Sequence, residues 1–224
     1  INGDPAYKVL NWLAVRLGLG IYFVNTVGAL IFSWGLITFC RRQPRPWLAL
    51  AVAIPYLVVV VAMGYTRQGI SIGLVMAALV AISDKALVRY FALMALAVMF
   101  HKSALIMIPL VAFSSAGNKW WRLSLLGAIG ISLYWLLVRD STDYMVANYI
   151  GAEYNSQGAA IRVSMNALPA LLYLAFNKRF QLPPDERKFW ALISMGALAF
   201  IVLLLISPSS TAVDRVALYW IPLQ

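Results

Sequence analysis

The chain has 224 residues, 62% of them hydrophobic, a mean hydropathy of +0.81 and a net charge of +10. Only 12% are charged, about half the share of a soluble domain, and all-apolar runs recur from end to end without alternating in polarity, which excludes a soluble globular fold and a membrane β-barrel. The basic residues sit at the ends of apolar runs and not in an aromatic-interleaved patch, so no nucleic-acid partner is expected, and the one cysteine, Cys40, excludes an internal disulfide framework.

What remains is an all-α, polytopic transmembrane helix bundle, with about eight to nine spans expected in a single domain over residues 1–224. Residues 1–17 carry Asp4, Pro5, Lys8, Asn11, Trp12 and Arg16 and read as an amphipathic or loop segment at one membrane face. The first span covers Gly18–Cys40 and ends in the basic turn Arg41-Arg42-Gln43-Pro44-Arg45. The second is Trp47–Met63, where Pro55 predicts a kink because it lacks an N–H and crowds the preceding turn. Gly64-Tyr65-Thr66-Arg67-Gln68-Gly69 leads into a third span over Gln68–Ser83, with Thr66 the expected N-cap. Asp84, Lys85 and Arg89 mark the link to a fourth span, Ala86–Phe100. His101-Lys102-Ser103 follows, with Ser103 placed to cap the fifth span, Ala104–Ser114. Both are short for crossing lipid, which predicts tilt or partial re-entry. A basic turn, Gly117–Arg122, precedes a sixth span over Leu123–Val138. Residues 139–162 form the longest polar stretch, a loop that includes Asp140, Asp143, Tyr149, Glu153, Tyr154 and Arg162. A seventh span over Val163–Phe176, a polar loop Asn177–Lys188 and an eighth span over Phe189–Ile206 complete the hydrophobic pattern. Ser207–Arg215 is a Ser/Pro-rich connection, and Val216–Gln224 reads as the start of another span. With Ile1 in first position, this predicts an internal segment of a longer chain.

Alternate connections between spans lie on the same side of the bilayer. One set, at residues 41–45, 84–89, 119–122 and 178–188, holds eleven of the 18 Lys and Arg, and the other set holds seven. The positive-inside rule makes the richer side cytoplasmic. Arg67, His101, the 139–162 loop and Asp214-Arg215 are then expected together at the outer face.

Arg67 falls in the first turn of the third span, where free amide N–H groups and the positive end of the helix dipole already favour an anion. A guanidinium there is poor helix electrostatics but a good bidentate ligand for phosphate; the alternative is a snorkelling arginine that marks the interface. His101, the single histidine, suits a general base near neutral pH, or an interfacial residue bonded to a backbone carbonyl. No second histidine or nearby cysteine accompanies it, so no metal site is expected. Thr211 and Asp214 have the spacing of a capping box, which accounts for Asp214 structurally. Asp214 is otherwise a candidate proton acceptor or a partner for Arg215, a cation expected at another helix N-terminus. In the 139–162 loop, aromatic faces beside amides and carboxylates suit a sugar, and a solvated interfacial loop has nearly the same composition. Two arginines, a histidine and an aspartate on one side suit a doubly anionic pyrophosphate, and a lipid pyrophosphate fits because its tail stays in the bilayer.

Four stretches carry a resemblance. Asp4-Pro5-Ala6-Tyr7 with Leu10-Asn11-Trp12, Tyr65-Thr66-Arg67-Gln68-Gly69-Ile70, Phe100-His101-Lys102-Ser103-Ala104-Leu105, and Asp214-Arg215 before Tyr219 resemble the EpsG/Wzy-type bacterial polysaccharide polymerases over essentially the whole chain. The resemblance implies a GT-C-type glycosyltransferase architecture in the bacterial inner membrane. It implies a polymerase that joins undecaprenyl-pyrophosphate-linked oligosaccharide repeat units at the periplasmic face, without cofactor or metal. The implied partners are the lipid-linked donor and acceptor and the bilayer, and the resemblance admits a chain-length regulator protein as another. On that reading Arg67 and Arg215 stabilise the departing pyrophosphate, and Tyr65 and Gln68 line its pocket. His101 or Asp214 accepts the acceptor's proton, and Tyr149, Glu153, Tyr154 and Arg162 hold sugar. Two other readings stay open. A flippase for the same lipid-linked oligosaccharide would carry polar residues deep in several spans, whereas these span interiors are almost free of charge. A membrane acyltransferase would add a second polar catalytic residue within a span.

Overall fold

The computed structural model describes residues 4–113, 124, 127–128, 131, 156, 158–207 and 209–223. The described residues are helical, with no strand, and fall into two compact units, Ile1–Ile108 and Pro109–Gln224. Four helices among them are long and apolar enough to cross a membrane: Gly20–Cys40, Thr66–Ser83, Ala159–Arg179 and Glu186–Ile206. Two shorter apolar helical stretches, Pro46–Ala62 and Leu87–Phe100, accompany them. The chain is thus an all-α polytopic membrane protein. Leu30, Trp47, Val59, Leu171, Val202 and Leu205 are exposed on these helices, where the hydrocarbon of a bilayer is the matching solvent. The predicted sixth span and most of the 139–162 loop lie outside the described residues.

In the first unit, α1 (Pro5–Arg16) starts with Pro5, whose missing N–H is an orphan of any helix start. α2 spans Gly20–Cys40. α3 (Pro46–Ala53) continues as a π-helix over Ile54–Ala62. The disruption expected at Pro55 therefore takes the form of a wider turn, which relieves the clash of the ring with the preceding turn. α4 (Thr66–Ser83) is the axis of the unit: every residue from Gln68 to Ile82 is buried. α2, α5 (Leu87–Phe100) and the π-helix surround it. Glycine permits the closest approach. A Cβ on Gly35 of α2 would stand 1.9 Å from the Gly73 carbonyl oxygen, and one on Gly73 would stand 2.6 Å from Phe32 Cα. Such small-residue contacts bring transmembrane backbones together in lipid. Ser71 Oγ donates to the Ala97 carbonyl at 2.9 Å and ties α4 to α5. Two capping expectations are corrected. The N-cap of α4 is Tyr65, so Thr66 lies inside the helix, and no side chain caps it. Ser103 lies within a 3₁₀ stretch, Lys102–Phe113, instead of before a helix at Ala104.

In the second unit, α6 covers Ala159–Phe176, so Arg162 belongs to a helix and not to the preceding loop. α7 covers Pro184–Ile206 and begins on a proline, ahead of the expected Phe189. The Ser207–Arg215 connection is corrected as well: it contains most of α8, Ser210–Ala217. A 3₁₀ stretch, Leu218–Leu223, follows. Trp220 Nε1 donates to the Ile193 carbonyl at 3.0 Å, and its ring meets Phe200 edge-on at 4.7 Å. Buried Asn166 donates to the Ala217 carbonyl at 2.9 Å. These bonds hold α8 and the end of the chain against α6 and α7.

Candidate functional site

Asp4 occupies the N-cap of α1, where an aspartate ordinarily accepts a bond from the first turn's amides. Its side chain makes no such bond. A lost cap costs about 1 kcal/mol, and here the carboxylate is spent elsewhere. Arg67 NH1 donates to Asp4 Oδ2 at 3.2 Å, and His101 Nδ1 lies 3.8 Å from the same oxygen. The Asp4 side chain is 9% exposed, whereas that of Arg67 is 53% exposed. The guanidinium also stacks over the Tyr7 ring, 5.7 Å from its centroid. Arg67 is in the first turn of α4, as the sequence indicates, and His101 ends α5 in an extended conformation that turns the chain into the 3₁₀ stretch. Three helix ends thus bring an arginine, a histidine and one buried carboxylate together.

The opposite end of α4 carries Asp84, which accepts from Arg42 NH2 at 2.6 Å. The connections at 41–45 and 84–89, assigned to one membrane face by charge counting, therefore meet at one end of the first unit. Arg67 and His101 lie at the other. Tyr65 is partly exposed beside Arg67, but Gln68 is buried inside the unit. A cleft of about 280 Å³ between α2, the π-helix and α4 is lined by Gly28, Ala29, Phe32, Val58, Ala62 and Ile70, among others.

A second arginine–aspartate pair occupies the other unit. Arg162 donates from Nε to Asp214 Oδ1 at 2.6 Å and from NH2 to Asp214 Oδ2 at 2.5 Å. Ser156 Oγ accepts from Arg162 NH2 at 2.5 Å and donates to Asp214 Oδ2 at 3.3 Å. The capping-box reading of Asp214 is corrected: the N-cap of α8 is Ser209, no side chain caps that helix, and Asp214 turns to Arg162 instead. Arg215 sits in the last turn of α8, where a cation is favourable helix electrostatics, and not at a helix N-terminus. Tyr149, Glu153 and Tyr154 lie outside the described residues.

The pairing of Asp4 with Arg67 is not among the features expected from sequence. A usable signal was present: only eight acidic residues serve 18 basic ones, and Asp4 precedes a proline at a helix start. The profile of the EpsG family matches residues 1–224, end to end.

The chain belongs to the EpsG family. These are the Wzy/EpsG-type polysaccharide polymerases, so membership carries a polymerase-type, glycosyltransferase-like function in a membrane. No curated protein and no solved structure matches the chain. In this EpsG chain the Asp4-Pro5, Arg67-Gln68-Gly69 and Phe100-His101 motifs, far apart in sequence, supply the three side chains that converge in the first unit.

Proposed function

We propose that the chain is a polysaccharide polymerase that joins oligosaccharide repeat units carried on undecaprenyl pyrophosphate, at the periplasmic face of the bacterial inner membrane. The observation that carries this reading is the meeting of Arg67 and His101 at one carboxylate, with the guanidinium half open to an incoming anion. An acceptor hydroxyl oxygen bonds to the donor's anomeric carbon. The bond from that carbon to the pyrophosphate oxygen breaks, and its electron pair leaves with the pyrophosphate. Arg67 and the positive end of the α4 dipole stabilise the charge that develops there. The hydroxyl proton passes to the His101 imidazole. His101 is preferred over Asp214 because both oxygens of Asp214 accept from Arg162. Arg215 is a proposed second cation for the pyrophosphate, Tyr65 a proposed neighbour of it, and Tyr149, Glu153 and Tyr154 proposed sugar contacts.

The absence of ionisable side chains from Gln68 to Ile82 favours a site at one face over a transport path. The cleft beside the first turn of α4, mostly apolar with Asn25 and Thr66 in its lining, suits an isoprenoid tail. The test is purified protein in a bilayer, given a lipid-linked repeat unit and resolved on a gel. Wild-type protein extends the unit into a ladder, and Arg67→Ala leaves single repeats. Translocation without a ladder would favour the flippase reading, and normal polymer from Arg67→Ala would sink the role of Arg67.

A further inference from the structure

We propose that Asp4 is a positioning residue that changes partner when substrate binds: it holds Arg67 in the free protein and passes to the His101 imidazole once an anion takes the guanidinium. This rests on the pyrophosphate reading of Arg67 and adds a coupling between binding and proton transfer. Four observations support it. Arg67 and His101 address the same oxygen, Oδ2, at 3.2 and 3.8 Å. Arg67 offers a single nitrogen, NH1, to that oxygen, a weaker hold than the two-pronged pairs guanidinium can form. A pyrophosphate, with more charge and more acceptor oxygens, displaces such a contact. The Asp4 side chain is almost buried, so the released carboxylate finds little water, and His101 Nδ1 is already within 3.8 Å of it. Finally, the pieces around it are fixed. Pro5 restricts Asp4 to an extended backbone, observed at φ −63°, ψ 122°, so only its side chain needs to rotate. Tyr7 keeps its cation–π hold on Arg67 after the carboxylate leaves.

Closing the gap to His101 by about 1 Å makes a hydrogen bond. A carboxylate that accepts from Nδ1–H fixes the tautomer whose Nε2 lone pair takes the acceptor's proton. The proton ends on Nε2, and Asp4 stabilises the imidazolium without itself being protonated. The base is thus assembled only when the leaving group is in place.

His101 is the only histidine of the 224 residues; with histidine nitrogen isotopically labelled, the Nδ1 and Nε2 resonances that vanish in His101→Gln are its own, and they are followed in protein reconstituted in nanodiscs and titrated with inorganic pyrophosphate. In wild-type protein the Nδ1 resonance moves toward a hydrogen-bonded position as pyrophosphate binds. In Asp4→Asn pyrophosphate binds at least as tightly, since a competing anion is gone, but the Nδ1 response is lost. With lipid-linked repeat units, kcat of Asp4→Asn falls by about 10²-fold, the scale of general-base catalysis, with KM not raised, and Asp4→Glu recovers part of it. A purely structural Asp4 would lower folded yield and raise KM without touching the Nδ1 response. An unaltered Nδ1 response in Asp4→Asn, or pyrophosphate binding weakened as much as in Arg67→Gln, overturns the hand-over and leaves the anion site standing. Failure of wild-type protein to bind pyrophosphate removes both. If Asp4→Asn does not fold, the wild-type titration decides: a static Nδ1 resonance under bound pyrophosphate overturns the proposal.

Discussion

Replacing Asp214 with alanine removes one carboxylate and leaves Arg162 where it is. The pair is well enclosed, with 5% of the aspartate side chain exposed and 20% of the arginine. The guanidinium loses both of its charge-assisted bonds to the carboxylate and keeps the one to Ser156 Oγ. Breaking a buried pair from one side costs about 3–5 kcal/mol. The remaining serine bond and the exposed fifth of Arg162 bring this to about 2–4 kcal/mol. Removing both charges is a different perturbation, because no ion is then left without a partner: Arg162→Met with Asp214→Leu falls within about 1 kcal/mol of wild type. Unfolding in mixed detergent micelles measures both variants, and the polymer ladder, normalised to folded protein, measures their function. The expected result is that Asp214→Ala loses stability and activity together and that the double replacement recovers both. A double variant that folds like wild type yet makes no polymer would refute the structural assignment and return Asp214 or Arg162 to the chemistry.

Gly35→Ala places a methyl 1.9 Å from the Gly73 carbonyl oxygen, so α2 and α4 have to part; the cost lies toward the upper end of about 1–3 kcal/mol, whereas Gly64→Ala, with nothing within 4 Å, stays within about 0.5 kcal/mol. Thermal unfolding of the two variants side by side checks this, and equal midpoints would refute the close crossing. Tyr90→Phe removes a hydroxyl that donates to the Met107 and Ile108 carbonyls at 2.8 and 3.2 Å, which costs about 1–3 kcal/mol. Its signature is faster amide exchange in the 3₁₀ stretch that follows His101, and unchanged exchange there would rule out the anchor.

Hydropathy made the long helices legible because lipid selects unbroken apolar runs: α2, α4, α6 and α7 fall close to the runs read from sequence. Arg67 and His101 were legible for the reverse reason, as polar residues at the ends of such runs. Local rules failed where a distant partner outbid them. Thr211 and Asp214 have capping-box spacing, yet a guanidinium 52 residues away offers Asp214 two charged donors against one amide. Asp4 forgoes its own helix for Arg67, 63 residues on. No window along the chain contains both members of either pair. The glycine crossing is of the same kind, since Gly35 and Gly73 look like ordinary small residues until α2 and α4 are laid together.

The two arginine–aspartate pairs look alike in composition and differ in what they leave available. Arg162 is held at both prongs, shares a serine with its carboxylate and is largely buried. A ligand would have to replace two short charged bonds to reach it, and its stabilisation of the fold would be lost in doing so. Arg67 gives one nitrogen to Asp4 and keeps about half of its side chain open. In the proposed exchange an anion takes that open half before the aspartate lets go, so the guanidinium is never bare. His101 Nδ1 lies 3.8 Å from the same carboxylate oxygen, close enough to receive it in the proposed hand-over. Of the two pairs, the weaker is therefore the one suited to chemistry, and the stronger is suited to holding α6 and α8 together.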